Sequence, residues 1–327
     1  MSSVHVKTTK TMKTRFASFL FPVALFVLAI SFSNCSKQRI AQNSYSTPEQ
    51  FMYDNRPEEQ EFELDGEGEG PIVGNQGTRL WLDSSIFMFA NGNDVSYPFT
   101  LKLIEVYTPK DMELYDLPTV AQGRLLVTGG EIRVRAFKDG EELVLKPGKR
   151  YYAQMPSANP DPQMSMFFGQ EVGGILDWRD DASAVNNTPG IDSLELIFPN
   201  LDSSGITEPG IGYDLFVPTM GWINCDYFYG SNPDSLTTVS YESDDDDLTN
   251  VMIFLYFDEI ESVMRVYNSE SGQVPIGASV KSLCFAMNSS GTMFYHYQTF
   301  NITSGHTVQV TMEEISEVDL LALMAGL

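Results

Sequence analysis

Between Gly77 and Pro156 the apolar residues recur at every second position, and that period admits few folds. In "EIRVRAF", Ile132, Val134 and Ala136 share one face, while Glu131, Arg133 and Arg135 share the other. Successive side chains of a strand point to opposite faces, so this run predicts a strand with one face in a core and one in water. Asp139-Gly140 follows, a pair suited to a tight hairpin turn, and "ELVL" returns. "TRLWL" puts Leu80 and Leu82 on one face; "FTLKLIEV" puts Phe99, Leu101 and Leu103 on one face with Lys102 opposed. No long amphipathic helix interrupts these runs. Short strands at this spacing predict an antiparallel sandwich or barrel.

The same grammar resumes after "SANPDP" at 157–162, which reads as a linker. "MSMFF", "GILDW", "YDLFV", "GWINC", "NVMIFLYF", "ASVKSLCFAM" and "TMFYHYQTF" read as strands, and residues 179–193 and 199–211 as long loops around "LELIF". Ser316 with Asp319 three residues on is a capping-box-like start for a short helix over Glu317 to Ala325, stopped by Gly326. Val318, Leu321 and Met324 are its expected core-facing residues. The fold class is therefore all-β: two antiparallel sandwich-like domains, 60–156 and 163–327, the second closed by a C-terminal helix.

The N-terminal region is of another kind. Lys13 and Arg15 precede an apolar run of 17 residues from Phe16 to Phe32, short for a membrane span, and Cys35 follows. Residues 1–34 read as a signal peptide. Cys35 is then the acceptor of a lipid in the manner of bacterial lipoproteins, although Asn34 stands where a smaller residue is usual. Cleavage after Ser31 and a retained anchor are the alternatives, and all three place the folded part outside the cytoplasm. Residues 35–59 read as a disordered tether, with seven acids and no base between Glu58 and Glu69. "EFEL" within that acidic run could pair as an edge strand.

The chain carries 20 basic and 44 acidic residues, a net charge of −24. Loss of residues 1–34 removes four bases and no acid, leaving 16 against 44 and a net charge of −28. Such a chain repels nucleic acid and anionic lipid, so nucleic-acid binding is excluded.

The pattern "GTRLWLDSS", "GND", "IEVYTPKDM" and "LLVTGGEIRV", continued by "MSMFFG", "GILDW", "GWINCDYF" and "VPIGASV", resembles an uncharacterised family of Bacteroidetes-type envelope lipoproteins. The likeness spans about residues 60–327 apart from the loops near 180–210, and it implies location more than activity. The first domain is also distantly similar to the β-sandwich of ankyrins and netrin receptors, which implies an interaction scaffold. Some relatives of that sandwich cleave themselves at a His-Phe step. His296 precedes Tyr297 and His306 precedes Thr307, so that step is missing here.

Few residues suit catalysis. Cys225, Cys284, His296 and His306 show spacings of 59, 12 and 10, with none of the close ligand pairs of a zinc site. Cys225 is followed by Asp226, which disfavours a thiolate. Cys225 and Cys284 are then a disulfide or two buried thiols. The signatures of serine hydrolases and of phosphate-binding loops are missing. Asp244, Asp245, Asp246 and Asp247 are the candidates for weak calcium binding, without the spacing of an EF-hand. Trp178, Trp222, Tyr227 and Tyr229 are the candidates for stacking on a glycan. The expected role is a non-catalytic envelope module. It would be held at the membrane by its lipid and bind or scaffold another envelope protein. A glycan-binding lipoprotein is the alternative and an envelope hydrolase the third.

Overall fold

The computed structural model describes residues 47–66, 70–172, 175–180, 196–197, 212–230 and 235–327. The chain is mostly β, with three short α-helices among the described residues. The helices are α1 (Glu49–Asn55), α2 (Pro109–Tyr115) and α3 (Glu317–Ala325). The main strands up to residue 228 are β1 (Gln60–Leu64), β2 (Ile72–Val73), β3 (Arg79–Trp81), β4 (Phe99–Val106), β5 (Arg124–Lys138), β6 (Tyr151–Met155), β7 (Ser165–Val172), β8 (Ile175–Arg179), β9 (Leu196–Ile197), β10 (Tyr213–Val217) and β11 (Gly221–Phe228), beside two-residue strands at Phe87–Met88, Val120–Ala121, Glu141–Glu142 and Val144–Leu145. They make two facing sheets. One is eight-stranded, with the main path β1-β4-β5-β11-β7-β8 and the two-residue strands Val120–Ala121 and Glu141–Glu142 paired to β5, and the other is five-stranded in the order β9-β10-β6-β3-β2. Leu80, Leu101, Leu103, Ile132, Val134, Ala153, Leu215 and Ile223 fill the space between them, all fully buried.

The main strands after residue 235 are β12 (Val239–Glu242), β13 (Met252–Phe257), β14 (Ser262–Val266), β15 (Ser279–Met287), β16 (Met293–Asn301), β17 (His306–Gln309) and β18 (Glu313–Ile315), and five of them form a second five-stranded sheet. Its order is β14-β13-β15-β16-β18, and the parallel pair β12-β17 covers one of its faces over Ile253, Leu255, Val280 and Cys284. Its other face meets the eight-stranded sheet through a third core. There Phe254, Leu283 and Phe285 lie with Ile104, Val106, Leu126 and Phe167, and with the buried faces of all three helices.

All-β architecture is thus as the periodicity predicts, but the domain boundary is not. Strands on both sides of residues 157–162 pair: β5 with β11, and β6 with β10. The first sandwich runs on to Phe228. Alternation identifies strands but not their partners, and these pairings span some 60 to 100 residues.

Two further expectations change. Part of the 35–59 tether is ordered: α1 buries Phe51 and Met52, with Phe51 edge-on to Phe285 at 5.9 Å between ring centroids. "EFEL" is an edge strand on β4, and Glu59 grips Arg135 through both carboxylate oxygens. The C-terminal helix starts at Ser316, whose hydroxyl accepts from Asp319 N, but its buried residues are Leu320 and Met324 while Val318 is 75% exposed.

The eight-stranded sheet bends at one place. Asn224 lies opposite Glu131 and Asp226 opposite Thr128, so Cys225 faces two residues, Gly129 and Gly130. This is a β-bulge, and Gly130 has φ +115°. A Cβ at Gly130 would stand 2.2 Å from the Tyr107 ring; one at Gly129 would stand 2.9 Å from the Tyr213 ring and 3.0 Å from the Cys225 carbonyl oxygen. Tyr107 is anchored by its hydroxyl on Thr78 Oγ1 at 2.7 Å. Beside it the Glu105 carboxylate accepts from the Thr78 and Gln76 amides and from the Gln60 side chain. Gly130→Ala is expected to destabilise by about 2–4 kcal/mol, through the left-handed backbone and the clash together. Gly123→Ala, with φ +75° but open space around it, is expected to cost about 1 kcal/mol. Denaturant midpoints of the two variants check this, and equal values would contradict the account.

Candidate functional site

The catalytic candidates do not assemble. Cys225 and Cys284 are free, buried thiols in different cores, so the disulfide alternative is not realised. Burial, then Asp226, pushes the Cys225 thiol well up, and burial pushes that of Cys284 up to about 12. Neither is a nucleophile at neutral pH. His296 lies on β16 in the second sandwich, away from Cys225 on β11, and its Nδ1 faces the Thr311 backbone. His306 stacks on Phe300 at 4.3 Å. Cys35 lies outside the described residues.

The aspartate run does not converge either. Asp246 Oδ2 accepts from the Met312 amide and Asp247 Oδ1 from the Thr249 amide and hydroxyl, while Asp244 and Asp245 point to solvent from an exposed loop. Among the described residues no group of three or more His, Cys, Asp or Glu side chains is placed to hold a metal ion. The calcium expectation is corrected accordingly. Asp247 braces its own loop and Asp246 ties that loop to Met312.

Two carboxyls do converge, and alternation had placed one of them in water. Glu131 and Asp226 lie on the face of β5 and β11 that the second sandwich covers, and both are fully buried. The Asn224 amide donates to Asp226 Oδ2 at 2.6 Å and to Glu131 Oε1 at 3.3 Å. Glu131 Oε2 and Asp226 Oδ1 have no hydrogen-bond partner among the described residues. Burial raises the pKa of both, and the neighbouring Asp226 raises that of Glu131 further. No substrate reaches them, so they are not a hydrolase pair.

The four aromatic candidates are scattered. Trp178 is fully buried and donates from Nε1 to the Pro118 carbonyl at 3.0 Å. Tyr227 packs against the first core and Tyr229 against that of the second sandwich. Of the four, Trp222 lines a groove of about 1020 Å³ at the end of the first sandwich. It lies over Gly169, where a Cβ would come within 2.6 Å of its own Cβ. The Tyr115 ring meets it edge-on at 5.8 Å, and the Arg133 guanidinium sits 5.7 Å from its ring centre. Arg135, Lys146, Lys149 and Arg150 line the same groove.

A second set of aromatics was not anticipated. Trp81, Tyr152 and Phe216 lie in cross-strand register on β3, β6 and β10. They are on the face of the five-stranded sheet turned away from the first core, since their strand neighbours Leu80, Ala153 and Leu215 point into it. The ring centroids are 4.7 Å apart from Trp81 to Tyr152 and 5.2 Å from Tyr152 to Phe216, with interplanar angles of 36° and 32°. The row spans two strand spacings, about 10 Å. Polar groups flank it. The Tyr152 hydroxyl donates to Asp214 Oδ1 at 2.7 Å, and Gln154 Nε2 donates to both, while Arg79 pairs in register with Gln154. Burial, then the Asp214 hydrogen bond, pushes the Tyr152 phenol up to about 12, so it remains a neutral donor. The available sequence signal was an aromatic at the outward position of an alternating strand, visible in "TRLWL" and "YDLFV".

The rim of the groove comes close to the row along two strands. Arg150 is two residues before Tyr152, and Pro218, which also lines the groove, is two after Phe216.

No protein-family model matches the chain, and no curated protein matches it. Among solved structures the chain was aligned with a γ-CGTase from alkalophilic Bacillus clarkii at 8% identity, over 72% of this chain and 41% of that one, with a TM-score of 0.15. The chain thus spans less than half of that enzyme, and a score this low supports no statement of fold or activity. No described helix is long and apolar enough to cross a membrane.

The buried pair generates a pH dependence. With folded pKa values above those of the unfolded chain, Glu131 and Asp226 keep protons that the unfolded chain releases. Their contribution is complete below the ordinary carboxylate range and is lost as pH rises above about 4. Glu131→Gln with Asp226→Asn is expected to stabilise the protein at neutral pH by about 1–3 kcal/mol and to flatten the decline of melting temperature with pH.

Proposed function

We propose that this protein is a non-catalytic glycan-binding module of a bacterial cell envelope, tethered by lipid at Cys35. The observation that carries the reading is the row Trp81–Tyr152–Phe216 on an outer sheet face. Three rings in register form a rigid apolar ridge that loses little entropy on binding, and the apolar faces of sugar rings pack on such surfaces. The hydroxyls of a sugar then need directional partners, which Gln154, Asp214, Arg79 and the Tyr152 phenol supply. The residue types match what a glycan site requires: aromatic area with a few fixed polar groups.

A protein-scaffold role has less support. Of the exposed large apolar side chains, Phe216 belongs to the aromatic row and Val73 to the same sheet face, while Tyr53, Val144, Ile175, Ile276 and Val318 are scattered over other parts of the chain. A hydrolase role has none in the geometry, because the convergent carboxyls Glu131 and Asp226 are sealed between sheets.

The test is affinity electrophoresis of the full-length protein in detergent through gels cast with a panel of polysaccharides, followed by calorimetry. Retardation by at least one polysaccharide is expected, and Tyr152→Ala and Phe216→Ala are each expected to weaken it about tenfold or more. Retardation by none, or equal retardation of the variants, would sink the reading.

A further inference from the structure

The groove beside the row is basic in a protein that is otherwise strongly acidic. It gathers five of the 20 basic residues of a chain with net charge −24, Arg133, Arg135, Lys146, Lys149 and Arg150, against two acids in its lining, Glu142 and Glu171. Random placement would disperse them and pair them with the abundant acids. Two are paired: Arg135 with Glu59, and Lys146 with Asp94 at 2.7 Å. Arg133, Lys149 and Arg150 have no ion pair among the described residues. Lys149 and Arg150 are exposed at the rim, while Arg133 is half-buried against Trp222. Burial and then the neighbouring Arg135 disfavour the charge of Arg133, a penalty that a bound anion would relieve.

Position gives the charge its meaning. A cleft lined by cations with low-dielectric walls concentrates its own field and raises the local concentration of anions, even where net charge repels them. Guanidinium groups meet planar carboxylate and tetrahedral sulfate oxygens through two parallel N–H donors, at fixed geometry. Trp222 provides an apolar face within the same groove. Arg150 and Pro218 stand two residues, about 7 Å of strand, from Tyr152 and Phe216, so a chain lying on the aromatic row reaches the rim of the groove at Arg150.

We infer that the groove is the anion-selecting part of one extended site, and that the ligand is an acidic oligosaccharide bearing carboxylate or sulfate groups. This rests on the glycan reading above. The row holds sugar rings of either kind, and the groove decides between charged and neutral chains.

The experiment compares a uronate oligomer with its carboxyl-reduced, neutral counterpart by calorimetry on the full-length protein. A sulfated oligomer and poly-glutamate serve as further probes. The uronate or the sulfated oligomer is expected to bind about tenfold or more tightly than the neutral one, with affinity falling as salt rises. The Lys149→Glu, Arg150→Glu double variant is expected to lose that preference and to keep its affinity for the neutral oligomer. Both sites are exposed, and an unchanged melting temperature confirms folding. Which acidic oligomer binds separates carboxylate from sulfate recognition. Equal binding of charged and neutral oligomers would overturn the inference and leave the glycan reading standing. So would a double variant that retains the preference. Poly-glutamate bound as tightly as the acidic sugar would reduce the groove to a general polyanion site and overturn it as well. Binding of no oligomer would remove the glycan reading itself, and this inference with it.

Discussion

The close approach of Tyr107 to Gly130 governs how the first sandwich is built. β5 is 15 residues long and serves both β4 and β11 as a pairing partner. A straight ribbon of that length would carry one register throughout. The bulge at Gly129-Gly130 inserts one residue, bends the strand and shifts its pairing with β11, so that Ile223 and Cys225 stay in the first core while Asn224 and Asp226 meet the second sandwich. Only glycine tolerates the positive φ there with an aromatic ring against its Cα. The ring is itself held by Thr78, and the adjoining turn by Glu105. The "Gly-Thr", "Glu-Val-Tyr" and "Leu-Leu-x-x-Gly-Gly" words of the sequence are thus one physical cluster.

The second consequence of that bend is a polar seam in an apolar interface. Thr128, Glu131, Asn224 and Asp226 are buried where β13 and β15 press on the eight-stranded sheet, between Phe167 and Leu126 and the helices. Nearby, Thr119 joins the sandwiches directly: its amide donates to the Val263 carbonyl at 2.8 Å, and its hydroxyl accepts from the Val263 amide at 2.7 Å. Arg265 and Asp116 form an ion pair across the same boundary. Directional bonds of this kind fix the mutual orientation of two sheets that apolar contact alone would leave free to slide. The second sandwich covers one face of the eight-stranded sheet; among the described residues no strand covers the outer face of the sheet β9-β10-β6-β3-β2, on which the aromatic row lies.

Strand existence was legible because burial on one face writes a period of two. Ile132, Val134 and Ala136, and Leu101 with Leu103, are buried as that period requires. The helix at Ser316 was legible from its cap. Helices α1 and α2 were not, since seven residues hold too few turns to display a 3.6-residue period. Glu131 was misread for a related reason: alternation tells that two faces differ, not that water covers the second. The candidate site was legible only in part. Trp222 was named for its aromatic surface, but its partners Arg133 and Arg150 read as ordinary solvated charges. Trp81, Tyr152 and Phe216 lie some 60 to 70 residues apart in sequence and become neighbours only through pairing.

Sequence by itself determined the all-β class, the turn at Asp139-Gly140, the strong negative charge and the lack of a spaced metal or nucleophile motif, because these depend on neighbours within a few residues. Tertiary structure alone decided where the sandwiches divide, that Cys225 and Cys284 remain apart, that two carboxyls are sealed in a core, and that five cations and a tryptophan share one groove. Each of those outcomes depends on which distant strands pair. Pairing is settled by the summed burial of whole sheets, which no local window of residues contains.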